Sequence, residues 1–211
     1  MKISVVIPTL NAAGTLPATL AALGPVAQVI VVDGGSTDGT IGTMTAPRGR
    51  GSQISAGIAA AEQDWLLLLH ADTRLAQGWR EEAAAHMRAN PHKAAYFRFA
   101  LDSGDPRARH LEQMVAWRCR LLALPFGDQG LLIHRDTLRA AGGMRALPLM
   151  EDVDLIGRLG RHRLVGLNTA AVTSAVKWEH DGWYRRSFRN LGCLSLWYLG
   201  VPPGRIARMY A

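Results

Sequence analysis

VIVVDGGSTDGT, at residues 29–40, joins an apolar run to a turn rich in glycine and aspartate. Four successive β-branched residues are typical of a strand buried on both faces of a parallel sheet. ISVVI at residues 3–7 has the same character. Residues 18–23 lie between the two runs and stop at Gly24, so they predict a helix. The order of strand, helix and strand favours an α/β fold.

The same alternation continues along the chain. A helix is expected at residues 52–61 and another buried strand at residues 65–69. Further helices are expected at 78–89, at 109–122, from Asp136 and at 152–160, and further strands at 94–101, 130–134 and 164–167. No repeat or linker divides the chain. The sequence therefore predicts one α/β domain over residues 1–211, a Rossmann-like, mostly parallel sheet flanked by helices.

Composition agrees with one hydrophobic core, because 48% of the 211 residues are hydrophobic. The formal net charge is +7, and 21 of the 24 basic residues are arginine. A positive charge favours anionic partners. A phosphate-bearing small substrate, nucleic acid and an acidic membrane all stay open on this evidence.

The sequence predicts a cytoplasmic protein. Cys119 and Cys193 lack the spacing of a zinc site or a disulfide framework. Pro8 cuts the first apolar run, which is too short for a signal peptide. No run approaches the roughly 18–20 apolar residues that cross a bilayer.

Residues 183–211 form a tail in which arginines alternate with aromatic and aliphatic residues up to Pro202-Pro203. This pattern predicts a basic amphipathic helix, for which two interpretations stay open. The helix lies on the inner face of a membrane, as a peripheral contact. Alternatively, it packs its aromatic residues on the domain and points its arginines at solvent or at an acceptor phosphate.

Polar residues follow three of the predicted strands, where ligands bind in open parallel sheets. They are Pro8-Thr9-Leu10-Asn11, the stretch from Asp33 to Thr40, and His70-Ala71-Asp72-Thr73. The spacing in GGSTDG is not that of a dinucleotide-binding loop, and the chain has no P-loop motif. If phosphates bind, a divalent cation held by Asp72 would compensate their charge.

Other charged residues have both a structural and a functional interpretation. Arg48 and Arg50 precede a helix and suit either phosphate contacts or a solvated turn. Residues 151–154 put three carboxylates at a helix start, where they favour the helix dipole or supply a general base for an acceptor hydroxyl. The polar turn at residues 127–130 is either a plain turn or a lining of the acceptor side.

Five motifs in this order resemble the inverting family 2 glycosyltransferases with the GT-A fold. They are VVIPTLNA, VVDGGSTDGT, GRGSQISAG, LLLLHADT and EDVDL, between residues 5 and 155. The resemblance covers roughly residues 1–170. Within the family, the chain looks most like small bacterial transferases described as associated with radical-SAM and selenium-domain genes.

The resemblance implies a set of site residues. Those implied to surround the donor nucleotide are Pro8, Thr9, Asn11, Asp33, Gly35, Asp38, Arg50, His70 and Asp72. Asp72 is the metal-binding end of the family's D-x-D motif, in which His70 replaces the first aspartate. The catalytic base falls on Asp152, with Glu151 beside it and Asp154 as the weaker candidate. His180 would complete the metal site or is an ordinary loop histidine, the interpretation we favour.

The function implied is transfer of one sugar, with inversion, from a nucleoside-diphosphate sugar to an acceptor hydroxyl. A UDP-sugar is the favoured donor, Mn²⁺ or Mg²⁺ is the cofactor, and the acceptor is a small molecule, a lipid-linked molecule or a peptide. Two rivals stay open: a nucleotidyltransferase, and a non-catalytic module that binds membranes or nucleic acid through its basic charge. A nucleotidyltransferase leaves the EDVDL motif without a role, and a binding module leaves the strand-end carboxylates without one. We therefore expect a glycosyltransferase without a nucleic-acid partner.

Overall fold

The two β-branched runs form neighbouring parallel strands of one sheet, β1 (Ile3–Thr9) and β2 (Gln28–Asp33). The computed structural model describes residues 1–210. The other strands are β3 (Met44–Thr45), β4 (Trp65–Leu68), β5 (Thr73–Leu75), β6 (Ala94–Leu101), β7 (Leu131–His134) and β8 (Leu164–Thr173). The helices are α1 (Leu16–Leu23), α2 (Arg50–Ala60), α3 (Trp79–Ala89), α4 (Pro106–Leu122), α5 (Arg135–Ala140), α6 (Glu151–Leu159), α7 (Val176–Asp181), α8 (Trp183–Tyr198) and α9 (Pro203–Tyr210).

Within residues 1–210 the eight strands form one sheet in the order β3-β2-β1-β4-β7-β6-β8-β5. Pairing is parallel from β3 to β4 and again between β6 and β8. It is antiparallel where β7 meets β4 and β6, and where β5 meets β8. The predicted α/β class with a mostly parallel sheet is confirmed.

Three strand features differ from the prediction. The short strands β3 and β5 were not expected, because two or three residues carry too little periodicity to be recognised. β8 was expected to end at Leu167 but extends to Thr173. Gly166 and Asn168 interrupt its apolar pattern, and pairing with β5 and β6 holds the longer strand in place.

The antiparallel pairs decide which loops meet. Leu68 at the end of β4 pairs with Leu131 at the start of β7, so the turn before β7 lies beside the residues that follow β4. Thr73 of β5 pairs with Thr173 of β8, and the Ser174 amide donates a hydrogen bond to the Asp72 carbonyl oxygen at 3.0 Å. The segment that leads into α7 is thereby tied to Asp72.

Apolar side chains cover both faces of the sheet. Fully buried residues such as Ile7, Leu67 and Phe97 pack on one face, and Val6, Leu66 and Leu155 pack on the other. The amphipathic helix α6 is held in the second cluster by Leu155 and its neighbours. Its first turn carries the carboxylates of the EDVDL motif to the carboxyl end of the central strands.

The predicted terminal helix corresponds to α8, and a second helix follows it after Pro202. Pro203 begins α9, a position that tolerates proline because the first helical N–H has no partner within the helix. Ile206 of α9 is fully buried. Among residues 1–210, no helix has the length and apolar character needed to cross a membrane.

Candidate active site

The loops after β1 and β2 are fastened to each other by side chains predicted to bind the nucleoside. The Asp33 carboxylate accepts hydrogen bonds from the Gly35 and Ser36 amides at 3.0 and 2.9 Å and from the Ser36 hydroxyl. Thr9 adds a hydroxyl bond at 3.3 Å. The Ser36 hydroxyl and then the two amides hold the pKa of Asp33 below its usual value, so this carboxylate is ionised at neutral pH.

Asn11 and Asp38 accept further hydrogen bonds between the two loops, at more exposed positions. The Thr37 amide donates to the Asn11 side-chain oxygen at 2.9 Å, and the Ala13 amide donates to Asp38 at 3.0 Å. Asn11 has a φ of 51°, a left-handed conformation that asparagine tolerates better than most residues. These two residues therefore shape the loops. Direct contact with a nucleoside stays a prediction for them.

A cavity of about 150 Å³ lies beyond the end of β4, beside Thr173 at the end of β8. Among the predicted site residues it brings together Arg50, His70, Asp72 and Asp152. Asp128 from the predicted polar turn and Lys177 from α7 also line it. With Arg186 from α8, the cavity gathers three carboxylates and three basic side chains from six separate parts of the sequence.

Asp152 is held at the start of α6 with one oxygen toward the polar turn. Its Oδ2 accepts the Gly127 amide hydrogen bond at 2.8 Å, and the carboxylate remains partly exposed in the cavity. A Cβ atom at position 127 would lie 2.6 Å from His70 Nε2 and 3.3 Å from Asp152 Oδ2. Only glycine therefore fits between these two side chains.

His70 lies against this turn as a neutral ring. Burial and then the positive charge of Arg50 lower the pKa of His70 to about 4. A neutral imidazole can accept a hydrogen bond or ligate a metal ion, which an imidazolium cannot. The resemblance implies an aspartate at this position, and a neutral histidine in its place adds no negative charge to the cavity.

Asp72 is paired with Lys177, which the sequence analysis missed. Lys177 Nζ lies 2.8 Å from Asp72 Oδ2. Burial opposes ionisation of Asp72, but the Lys177 ammonium and the hydrogen bond it donates prevail and lower the pKa of the carboxyl. The one available signal was compositional, because Lys177 is one of only three lysines in a chain rich in arginine.

Glu151 and Asp154 hold arginines within the protein. Glu151 is buried, and its carboxylate lies 2.9 Å from Arg50 Nε. Asp154 is also buried and contacts Arg145 and Arg158 at 2.9 and 2.7 Å. Of the three EDVDL carboxylates, Asp152 is the one that lines the cavity, as far as the described residues show.

Asp128 lies in the 3₁₀ turn Gly127–Gln129. Burial raises the pKa of Asp128 to about 6, although Arg118 opposes this shift. Its buried Oδ1 has no hydrogen-bond partner among residues 1–210. A buried polar atom without a partner is costly, so this oxygen is prepared to meet a polar group of a ligand.

His180 is not among the residues that line the cavity around Asp72. Its side chain is 86% exposed, and its Nδ1 lies 3.0 Å from Asp181. Lys177, one turn earlier in α7, is the residue of this helix that reaches Asp72. His180 lies in α7 and not in the predicted loop, and both interpretations of its role stay predictions.

Comparison with known families identifies the chain. Residues 41–148, just over half of the sequence, match the family described as "Glycosyl transferase family 2". The chain belongs to this family. The matched range includes Arg50, His70, Asp72 and Asp128, whereas Asp33 and Asp152 lie outside it. Comparison with curated proteins gave no match.

Solved structures similar to this family 2 chain share its fold at low identity. S. aureus TarS 1–349 in complex with UDP-GlcNAc is 18% identical, with a TM-score of 0.62 over 82% of this chain and 59% of that chain. A mannosyltransferase from Pyrobaculum calidifontis in complex with GDP-Man and Mn²⁺ is 19% identical, with a TM-score of 0.64 over 90% and 61%. Glucosyl-3-phosphoglycerate synthase from Mycobacterium tuberculosis, with Mn²⁺ and UDP-Glc, is 19% identical, with a TM-score of 0.58 over 81% and 70%.

This chain spans about three fifths of the length of TarS 1–349 and of the mannosyltransferase, and 37% of the longer TarS chain. Its sheet and flanking helices are those of the GT-A glycosyltransferases. The family 2 fold therefore extends over most of this shorter chain.

The Glu151 carboxyl gives this family 2 domain a testable pH dependence. Burial raises the pKa of Glu151 from its usual 4.5 to about 7, while Arg50 opposes the shift. A raised folded-state pKa means that the contribution of Glu151 to stability is highest below pH 4.5 and is lost as the pH rises toward 7. The native chain should lose ~1–3 kcal/mol of unfolding free energy between pH 5 and pH 8 through this carboxyl, and the Glu151→Gln variant should not show that loss. Urea unfolding at pH 5 and pH 8 measures it.

Glu62→Gln is the matched control for that experiment, because Glu62 is exposed. The control should keep the native dependence of stability on pH. Equal slopes for Glu151→Gln and the native chain would contradict the raised pKa of Glu151.

Proposed function

We propose that this chain transfers a single sugar, with inversion, from a nucleoside-diphosphate sugar to an acceptor hydroxyl. The observation that carries the proposal is the juxtaposition of Asp152, Asp72 and Arg50 around one cavity at the carboxyl ends of the central strands. A base, a carboxylate suited to a divalent cation and a phosphate-binding arginine are the groups that such a transfer needs. Membership of glycosyl transferase family 2 supports the same reaction class.

The proposed reaction is an in-line displacement. Asp152 accepts the proton of the acceptor hydroxyl, whose oxygen then forms a bond to the anomeric carbon. The bond from that carbon to the diphosphate oxygen breaks, and its electron pair leaves with the nucleoside diphosphate. The hydrogen bond from the Gly127 amide keeps the Asp152 carboxylate oriented during proton transfer.

The residues around Asp72 fit a divalent cation, Mn²⁺ or Mg²⁺. Asp72 offers a carboxylate oxygen and His70 offers a neutral ring. Within residues 1–210 no group of three or more ligating side chains is arranged for a metal ion, so donor phosphates and water would complete the coordination. Bound there, the ion would compensate the charge of the leaving diphosphate.

The donor is proposed to be a UDP-sugar whose nucleoside lies against the loops after β1 and β2. Pro8, Thr9, Asn11, Asp33, Gly35 and Asp38 are its proposed contacts. The fastened loops support this assignment, because hydrogen bonds between them hold the edge of a nucleoside site before the ligand arrives.

Three finer assignments complete the proposal. The order of the five motifs supports placing the chain among the small bacterial transferases associated with radical-SAM and selenium-domain genes. The buried thiols of Cys119 and Cys193 suit a cytoplasmic enzyme. The basic amphipathic tail at 183–211, which includes α8 and α9, supports a peripheral contact with the inner face of the membrane.

A ligand screen tests the proposal directly. Nucleoside diphosphates and their sugars are added to the native chain with and without Mn²⁺, and thermal unfolding is followed. At a ligand concentration of about 100 times Kd, stabilisation is about 2.7 kcal/mol, which for a chain of this size raises Tm by roughly 5–10 °C. We expect this shift for UDP-sugars with Mn²⁺. The absence of a response to any nucleotide would contradict the donor site.

A further inference from the structure

A groove of about 510 Å³ runs between α4 and α8, beside the proposed catalytic cavity. On α4, Met114, Trp117 and Leu121 follow the spacing of one helix face. On α8, Phe188 and Leu191 do the same. Met114 is 58% exposed, Trp117 69% and Phe188 70%. Large apolar side chains exposed together in this way are uncommon on a protein surface and mark a site that another molecule covers.

The inner end of the groove opens into the catalytic cavity. Five residues line both spaces: Phe126, Asp128, Trp178, Asn190 and Leu194. Asp128 lies at this junction with its unpartnered Oδ1. A molecule lying in the groove would therefore extend one end past Asp128 toward Asp152.

We propose that the acceptor is a lipid alcohol, with its hydrocarbon chain in the α4–α8 groove and its hydroxyl between Asp128 and Asp152. The assignment rests on the proposed function and adds the substrate class to it. The hydroxyl donates its proton to Asp152, its oxygen bonds to the anomeric carbon, and the nucleoside diphosphate leaves with the electron pair of the broken bond. Asp128 accepts no proton in this step and positions the acceptor.

The walls of the groove favour a hydrocarbon chain over a peptide. Both walls are helices whose backbone N–H and C=O groups are bonded within the helix, so an extended peptide would find no strand edge to pair with. A docked helix of a second copy would cover the junction with the catalytic cavity. A hydrocarbon chain needs no hydrogen bonds and leaves the junction open for its own head group.

The charges favour a neutral hydroxyl over a phosphate as the head group. Two carboxylates, Asp128 and Asp152, face the junction. The arginines along the groove and at its junction with the cavity are already engaged within the chain. Arg107 contacts Asp105 at 2.6 Å, Arg118 donates to the Leu124 carbonyl at 2.9 Å, and Arg186 contacts Asp181 at 2.8 Å. A phosphate at the junction would face like charges at close range.

The test measures binding of straight-chain alcohols from hexanol to dodecanol to the native chain at saturating nucleotide and Mn²⁺. Tryptophan fluorescence reports binding, since Trp117 lines the groove. Burial of one methylene contributes ~0.8 kcal/mol, so affinity should rise about fourfold with each added carbon until the groove is filled. With a UDP-sugar in place of the nucleotide, the rate of nucleoside diphosphate release should rise in the same order.

Matched variants locate the effect in the groove. Met114→Glu and Phe188→Glu each put a charge on an exposed groove position and should weaken dodecanol binding by more than tenfold. Ile41→Glu is the control, because Ile41 is 84% exposed and lies in the loop between β2 and β3. It should bind dodecanol like the native chain.

The outcomes separate this inference from the proposed function. Alcohol affinity that is independent of chain length, or unchanged in both groove variants, overturns the lipid acceptor while nucleotide binding stands. Two other results also overturn it. If the native chain is a dimer that the groove variants dissociate, the groove binds a second copy. If the chain binds anionic vesicles but no alcohol, the groove binds a membrane surface. If the native chain binds no nucleotide, the proposed function itself has failed.

Discussion

Replacing Asp152 with asparagine is expected to lower the rate of sugar transfer by about 10²–10⁴-fold while leaving donor affinity within about threefold of native. Asparagine has nearly the same shape and keeps an oxygen to accept the Gly127 amide, now 2.8 Å from Asp152 Oδ2. It cannot take a proton from the acceptor. The change therefore removes the base and keeps the geometry. Single-turnover measurement of nucleoside diphosphate release gives the rate, and calorimetry gives the donor affinity.

Asp136→Asn is the matched control, because Asp136 lies on α5 with an exposed side chain. It should transfer sugar at the native rate. Native turnover in the Asp152→Asn variant would mean that another group takes the acceptor proton. Asp154 is then a poor replacement, since Arg145 and Arg158 hold its buried carboxylate. Asp128 would be the next carboxylate to replace.

Asp72→Ala is expected to abolish the dependence of donor binding on Mn²⁺ and to weaken donor affinity about 100-fold in its presence. The reason is that metal compensation of phosphate charge contributes several kcal/mol. Thermal shifts and calorimetry over a Mn²⁺ series, with and without UDP-sugar, measure both effects. A variant that still shows native Mn²⁺ dependence would exclude Asp72 as the metal-binding carboxylate.

Lys177→Ala should have the opposite effect and raise the affinity for Mn²⁺. The ammonium group lies 2.8 Å from Asp72 and occupies the face of the carboxylate that a cation needs. Without it, Mn²⁺ alone should bind about tenfold more tightly, because the two cations no longer compete for one carboxylate. Lys93→Ala, at an exposed lysine, should leave Mn²⁺ affinity unchanged. Opposite effects of the Asp72 and Lys177 substitutions would assign both residues to one charge-compensating site.

Much of the fold was predictable because short segments of sequence determine most of its helices and strands. The β-branched runs before Pro8 and Asp33 gave β1 and β2, and Gly24 ended the helix between them. Strand β6 and the last residue of α4 also agree with the prediction. Local periodicity reports which face of an element is buried, which is enough to predict helices and strands. It does not report the direction in which a strand joins a sheet.

The sequence of this chain by itself determined its α/β class, the order of its main elements and the residues where chemistry was expected, since these follow from local pattern and from motif order. Tertiary structure alone decided that β7 and β8 run beside β4 and β5, so that the turn at Gly127 and the helix bearing Lys177 meet Asp152 and Asp72. It also formed the groove between α4 and α8. Residues 105 positions apart, such as Asp72 and Lys177, carry no mutual signal in the sequence, because their contact depends on how the intervening strands pair.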